Sequence, residues 1–288
     1  MSELINEQNE HEVVTEHEAG TEATHETTLY AEPVAHLGGF TITNSIIVTW
    51  LVVLVVIVFS FVLRKKIKTI PRGIQNLFEI LVEGALNLAD TVTGDRQKTY
   101  KFFPITFTLF IFILLNNWFG LLPGVGSIGF YEVHAGHQAF IPLLRGGTAD
   151  LNTTLVLALF SVLASHVVGV ILVGVWKHLN KFINFQAFID IPRKIRKDPA
   201  IVLVNPIKAF VGVVEIIGEV AKVASLSFRL FGNIFAGEVL LVSMAAIFAF
   251  ILPVPFMFLE VVVGVIQALI FAILTLVYMT IASTAEEH

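Results

Sequence analysis

The chain has 288 residues, of which 56% are hydrophobic and 14% charged, and its mean hydropathy is +0.82. That balance places it in a bilayer rather than in water, and the absence of cysteine excludes a disulfide framework and a thiolate metal site. The formal net charge of -5 says little about the body of the chain, because nine of its 23 acidic residues lie in the first 32 positions.

Residues 1–36 are acidic and polar, without lysine or arginine. No basic start or apolar core of a secretory signal is present there, so a solvated tail is expected. Its histidines (His11, His17, His25, His36) have a spacing that fits no compact metal site. Residues 37–288 are expected to form a single membrane domain. Uncharged stretches long enough to cross a bilayer run from Leu37 to Leu63, Phe102 to Tyr131, Leu151 to Trp176, Val239 to Leu259 and Val261 to Ala285. Between the first two, Arg72 to Arg96 is too polar to span. Its three- and four-residue apolar spacing predicts an amphipathic helix on the cytoplasmic surface.

Eight of the 18 basic residues fall between Arg64 and Lys101 and six between Lys177 and Lys197, whereas Pro123 to Asp150 has only Arg145. The positive-inside rule therefore puts the first two segments in the cytoplasm and the third outside. The acidic tail is then outside and the C-terminus, AEEH, inside. The segment IPRKIRKDP, Ile191 to Pro199, belongs to a cytoplasmic loop.

Two long helices are predicted to close the chain as a hairpin over residues 205–284, one from Asn205-Pro206 to about Leu252 and one from Pro255 to Ser283. Pro253 and Pro255 break them apart. The first would be about 68 Å long if continuous, roughly twice the hydrocarbon thickness, so it must tilt, bend near Gly232 and Gly237, or break. The expected fold is thus all-α and polytopic, with about five crossings, one surface helix and a long tilted C-terminal hairpin.

Arg229 stands inside the apolar run SLSFRLFGNIFAGEVLLVSMAAIFAFIL. A guanidinium keeps its charge at ordinary pH, and membrane depth costs it from about 3 to well over 10 kcal/mol. At 100° per residue, Lys222 lies about 20° from Arg229, Ser225, Asn233 and Glu215 about 40°, and Glu219 about 80°. Glu238 projects at about 180°. On the last helix Glu260, Gln267 and Tyr278 share a face. A hairpin turning at Pro253 would put Glu238 near the level of Gln267. One reading is a static ion pair between Arg229 and a carboxylate. The other makes Glu238, Glu260, Asn233 and Gln267 an outer aqueous path and Glu215, Glu219 and Ser225 an inner one. Arg229 would then repel protons between them. His166 is read as a packing or hydrogen-bonding residue and Asn117 as equally a helix bridge or a channel group. Lys222 is read as snorkelling or pairing with Glu215 or Glu219, and Lys208 as a membrane-edge anchor.

SLSFRLFGNIFAGE resembles the signature of subunit a of F-type ATP synthases. LNNWFGLLPG (Leu115 to Gly124), TADLNTTLVLAL (Thr148 to Leu159) and IQALIFAILTLVYMTIASTAEEH resemble the same family in the same order, from about Ile42 onward. The resemblance implies a non-catalytic, proton-translocating stator subunit of a bacterial inner membrane. Its partners would be a c-ring, peripheral-stalk b subunits and the bilayer, with no nucleic acid, no cofactor and no substrate but the proton. It implies that Arg229 meets the c-ring carboxylate and that Asn233, Glu238 and Gln267 line the outer half-channel. Glu215 and Ser225 would line the inner one, and Asn117, Asp150 and Asn152 would be polar positions nearer the periplasm. Glu260 stands where some members carry His, and Gly120 where some carry Asp. No GxxxxGK[ST] phosphate loop is present, so ATP chemistry belongs elsewhere. A sodium-coupled version is the alternative; a self-contained transporter would need an internal repeat, which the sequence does not show.

Overall fold

The computed structural model describes residues 31–68, 73–122, 124–134, 137–182, 201–248 and 251–284. The expectations for residues 1–30, for the IPRKIRKDP segment and for AEEH fall outside these, as does the side chain of Lys208.

A hairpin of β1 (Pro33–Leu37) and β2 (Phe40–Thr43) leads into α1 (Asn44–Lys66). Thr43 starts this helix, its hydroxyl accepting from Ile46 N. The predicted surface helix is α2 (Ile74–Thr93), which stops where Gly94 adopts the left-handed conformation and donates to Asp90 O. Asp95 caps α3 (Arg96–Gly120) through Gln97 N at 2.8 Å, and Arg96 pairs with Asp90, tying the two helices. A second hairpin, β3 (Gly129–His134) and β4 (His137–Pro142), is followed by a 3-10 turn at Gly147–Ala149. Asp150 then caps α4 (Leu151–Val173), and Gly174 (φ 96) turns the chain into the short α5 (Val175–Phe182). The hairpin helices are α6 (Ile201–Ile247) and α7 (Pro253–Ser283), with Pro253 at the start of α7, where its missing N–H has no partner to lose.

Among the described residues, five helices are long and apolar enough to cross a membrane: α1, α3, α4, α6 from Phe210, and α7. The protein is an all-α multi-pass membrane protein, with two short β-hairpins that the sequence reading did not foresee. They take the ends of the first two apolar stretches: the first crossing helix begins at Asn44 rather than Leu37, and the second ends at Gly120 rather than running to Tyr131. Strand pairing satisfies the backbone there, where helix does not continue. Helix α6 resolves the length question by staying helical through Gly232 and Gly237.

The core is built where α3, α4, α6 and α7 meet, around Leu109, Ile113, Ala158, Leu226, Leu230, Ala268 and Phe271. Two hydroxyl pairs cross it, Ser161 with Thr275 at 2.7 Å and Thr154 with Ser227 at 3.2 Å. Such pairs suit helices whose apolar faces gain little from leaving lipid for one another. Helix α2 lies against α3 and α7 through Ala89, Phe102, Leu276 and Met279. Exposed large side chains such as Leu54, Phe61, Val156 and Ile171 form the apolar outer surface a bilayer requires.

Candidate functional site

Arg229 sits midway along α6 on its exposed side, with Ser225 one turn before and Asn233 one turn after, also exposed. Its one side-chain hydrogen bond among the described residues is to Ser225 Oγ, at 3.4 Å on the same helix. No described carboxylate lies within ion-pair distance of it. Leu226 and Leu230, which flank it in sequence, point the other way and are 1% exposed. The helix thus buries its leucines in the bundle and leaves its guanidinium on an open face. The static ion pair does not form among the described residues.

Toward the α6–α7 turn, Glu238 faces away from Arg229, as its spacing predicts, and meets Arg145. This guanidinium, 5% exposed, donates from Nε at 3.0 and 3.2 Å and from Nη2 at 2.9 Å to both carboxylate oxygens. Sequence reasoning missed Arg145 as a site residue; its isolation in the 123–150 segment was the available signal. Glu260 is 8% exposed, and its carboxylate lies against the backbone of Gly237 so closely that a Cβ there would overlap it. Gly237 therefore acts as the gap that admits Glu260 between the two helices.

This contact corrects one expectation. Glu260 lies level with Gly237, so seven residues further down each antiparallel helix Gln267 falls about level with Leu230, next to Arg229, and not with Glu238. The reason is the turn: α6 ends at Ile247, so the reversal is centred before Pro253 and the register moves down. Gln267 is half-buried and has no hydrogen bond among the described residues.

The other polar residues expected near this end divide. Asn117 donates to Gly264 O at 2.9 Å and accepts from Thr148 Oγ1 at 2.7 Å, joining α3, α7 and the 3-10 turn. It behaves as a bridge. Asp150 is 4% exposed and holds Asn152 N at 3.2 Å and Thr153 Oγ1 at 3.2 Å, a helix cap; Asn152 is exposed. At Gly120 a Cβ would come 3.3 Å from the Gly146 backbone. A side chain at that position needs the loop to move away.

Toward the other end of α6, Glu219 accepts from Lys222 Nζ at 2.7 Å and faces His166 Nε2 of α4 at 3.4 Å. Lys222 also lies 5.4 Å from the ring centroid of Tyr278 on α7. Tyr278 is thereby separated from Glu260 and Gln267 and joins this inner group. His166 is hydrogen-bonded as expected, but it is not alone: its Nδ1 is 3.2 Å from His178 Nε2 of α5. Glu215 is half-buried one turn further along α6. The chain therefore brings polar groups together in two clusters on either side of Arg229, at opposite ends of the same helix.

A profile of the ATP synthase A chain family matches residues 46–280. Among similar proteins, ATP synthase subunit a of Trichlorobacter lovleyi is 33% identical over 85% of this chain and 89% of its own length. Subunit a of Geobacter sulfurreducens is 32% identical over the same shares, and that of Syntrophobacter fumaroxidans 33% over 86% and 87%. With five apolar crossings, an arginine open on the longest of them, and relatives matched over nearly their whole length, the chain belongs to the ATP synthase subunit a family and works within that complex.

Proposed function

We propose that this chain is the non-catalytic proton-translocating stator subunit of the ATP synthase membrane sector. Two offset half-channels are separated by Arg229. The outer one is lined by Glu238, Glu260, Asn233 and Gln267, with Asn117, Asp150 and Asn152 shaping its mouth. The inner one is lined by Glu215, Glu219, Ser225 and Tyr278. A proton from the outer path neutralises a carboxylate on a rotating c-ring, which can then enter lipid; a charged carboxylate could not do so cheaply. On reaching the inner path it gives the proton up, because Arg229 stabilises the carboxylate. Peripheral-stalk b subunits hold the chain still in a bacterial inner membrane. The acidic tail of residues 1–36 lies in the periplasm, the 205–284 hairpin carries the channel and the C-terminus faces the cytoplasm.

The observation that carries this reading is the open face of Arg229. A membrane guanidinium is expensive, and within its own chain this one meets no anion among the described residues. The anion it requires is then on another molecule. The chain has no cysteine, so single cysteines test this cleanly. In the assembled complex, Ala236→Cys and Gly218→Cys, each about 20° from Arg229 around the helix, should form disulfides with cysteines placed near the c-ring carboxylate. Leu230→Cys should not. Crosslinking by Leu230→Cys alone would sink the assignment of the face.

Gly237 offers a second test, of Glu260. Gly237→Ala should leave assembly intact, because the displaced atoms end a flexible side chain. It should lower ATP-driven proton pumping by about ten- to a hundredfold, since a displacement of about 1 Å is enough for that. Adding Glu260→Asp, which withdraws the carboxylate, should recover part of the flux. Wild-type pumping by Gly237→Ala would remove Glu260 from the path.

A further inference from the structure

The cluster at the inner end of α6 contains two groups that the half-channel reading leaves unused, His166 and His178. We infer that Glu219, His166 and His178 form a linear proton relay that carries protons between the Arg229 region and the α5 side of the protein. The inference rests on the stator reading and specifies the exit of its inner half-channel.

Geometry supports a series connection. His166 uses both ring nitrogens: Nε2 faces Glu219 Oε2 at 3.4 Å and Nδ1 faces His178 Nε2 at 3.2 Å. A proton passing between Glu219 and His178 along these contacts must enter one nitrogen of His166 and leave by the other. His178 reaches this position through two local features. Gly174 (φ 96) reverses the chain so that α5 folds back on α4, and Gly169 leaves room for the ring. A Cβ at Gly169 would stand 2.7 Å from His178 Cε1 and 2.8 Å from Nδ1. His178 is consequently 8% exposed, although it lies on a helix of only eight residues.

Charge supports transfer over storage. The groups lining the space beside the histidines include Glu219 and Lys222 from α6 and Tyr278 from α7, with Ser165 on α4. Lys222 holds Glu219 at 2.7 Å, so the carboxylate is already compensated when a proton arrives and does not trap it on a histidine. A cavity of about 10 Å³ lies between these side chains, about what a single water requires. Glu219 is ten residues from Arg229 along α6, about 15 Å. The relay thus begins well beyond the guanidinium, on the side of the basic loop.

The transfer balances. It starts with His166 protonated on Nδ1, donating to His178 Nε2, and with His178 protonated on Nδ1. A proton from the Glu219 side binds His166 Nε2, the Nδ1 proton moves to His178 Nε2, and His178 releases its Nδ1 proton to a water molecule on the α5 side. One proton has crossed, no electrons have moved, and both rings now carry hydrogen on Nε2. The relay resets when each ring turns to present its protonated nitrogen toward the exit and its bare nitrogen toward the entry, with no further change of tautomer.

The test uses the complete complex in sealed vesicles, with ATP-driven and potential-driven proton flux followed as the pH on the α5 side is varied. His166→Gln and His178→Gln can still hydrogen-bond but do not shuttle protons at these pH values. Each should reduce flux by about tenfold or more and flatten its dependence between pH 5 and 8, where histidine changes charge. The double variant should be no worse than either alone, as expected for links in series. Imidazole added to His178→Ala should restore flux, an effect that repair of packing would not produce. Wild-type flux and pH profile in both glutamine variants, assembled at normal levels, overturns the relay. So does failure of imidazole to act on an assembled His178→Ala complex. Arg229→Ala serves as the control. If it still pumps, the stator reading itself has failed; if it does not pump while the histidine variants do, only the relay has failed.

Discussion

Arg229→Ala is expected to abolish ATP-driven proton pumping while the complex still assembles. Among the described residues Arg229 gives one long hydrogen bond, to Ser225 at 3.4 Å, so little folding energy depends on it. Removing the charge even relieves a desolvation cost of about 3 kcal/mol or more. The functional loss should be far larger. Two unit charges about 4 Å apart at an effective dielectric near 20 attract by about 4 kcal/mol, roughly a thousandfold in rate. Without that attraction a rotor carboxylate is not driven to release its proton at the inner path. Arg229→Lys should rescue only weakly, because an ammonium is a compact, strongly hydrated point charge without the two-pronged fork. Assembly is checked by co-purification of all subunits and pumping by vesicle acidification. Pumping by Arg229→Ala at the wild-type rate would remove the arginine from the mechanism.

Arg145→Ala should act in the opposite way, through stability first. Arg145 is 5% exposed and Glu238 28%, and three hydrogen bonds join them across 93 residues of chain. Removing one member leaves the other charged and largely out of water, a change of about 3–5 kcal/mol for a fully buried pair. The partial exposure of Glu238 reduces this to about 2–4 kcal/mol. Heat or denaturant unfolding in detergent should show that loss. Arg145→Ala combined with Glu238→Gln should be more stable than the sum of the single changes implies, by about 1–3 kcal/mol of coupling. Additive effects would mean the pair is not formed in the membrane. Function is affected too: Arg145 occupies three of the about four lone-pair sites of the Glu238 carboxylate, and a proton binding there works against the charge of the guanidinium. Glu260, which has no such partner among the described residues, is the freer of the two.

The sequence made some of this architecture plain and hid the rest for physical reasons. Crossing helices follow from apolar length, and α2 follows from its spacing. The opposed faces of Arg229 and Glu238 follow from the helical repeat because α6 is unbroken. What could not be read was set by contacts distant in sequence. The Arg145 fork depends on where a loop docks. The level of Gln267 depends on the residue at which α6 ends. His166 looked solitary because its partner arrives from a separate short helix through the turn at Gly174. Asn117 and Asp150 show what polarity alone does not reveal: both are buried, Asn117 bridging α3, α7 and the 3-10 turn and Asp150 capping the first turn of α4.

The glycines of α6 differ from one another in a telling way. Gly237 faces inward and is filled by Glu260, whereas Gly218 and Gly232 have nothing within 4 Å of where a side chain would begin. Both lie on the flank that carries Arg229. At these two positions the helix surface is low, and exposed Val211, Val214 and Phe228 stand out beside them on the same flank. A neighbouring helix sliding past the two glycines would find nothing to interlock with at those points, and its ridges could cross there. The two glycines would then act as notches on either side of the arginine, easing passage where they lie while charge supplies the selectivity.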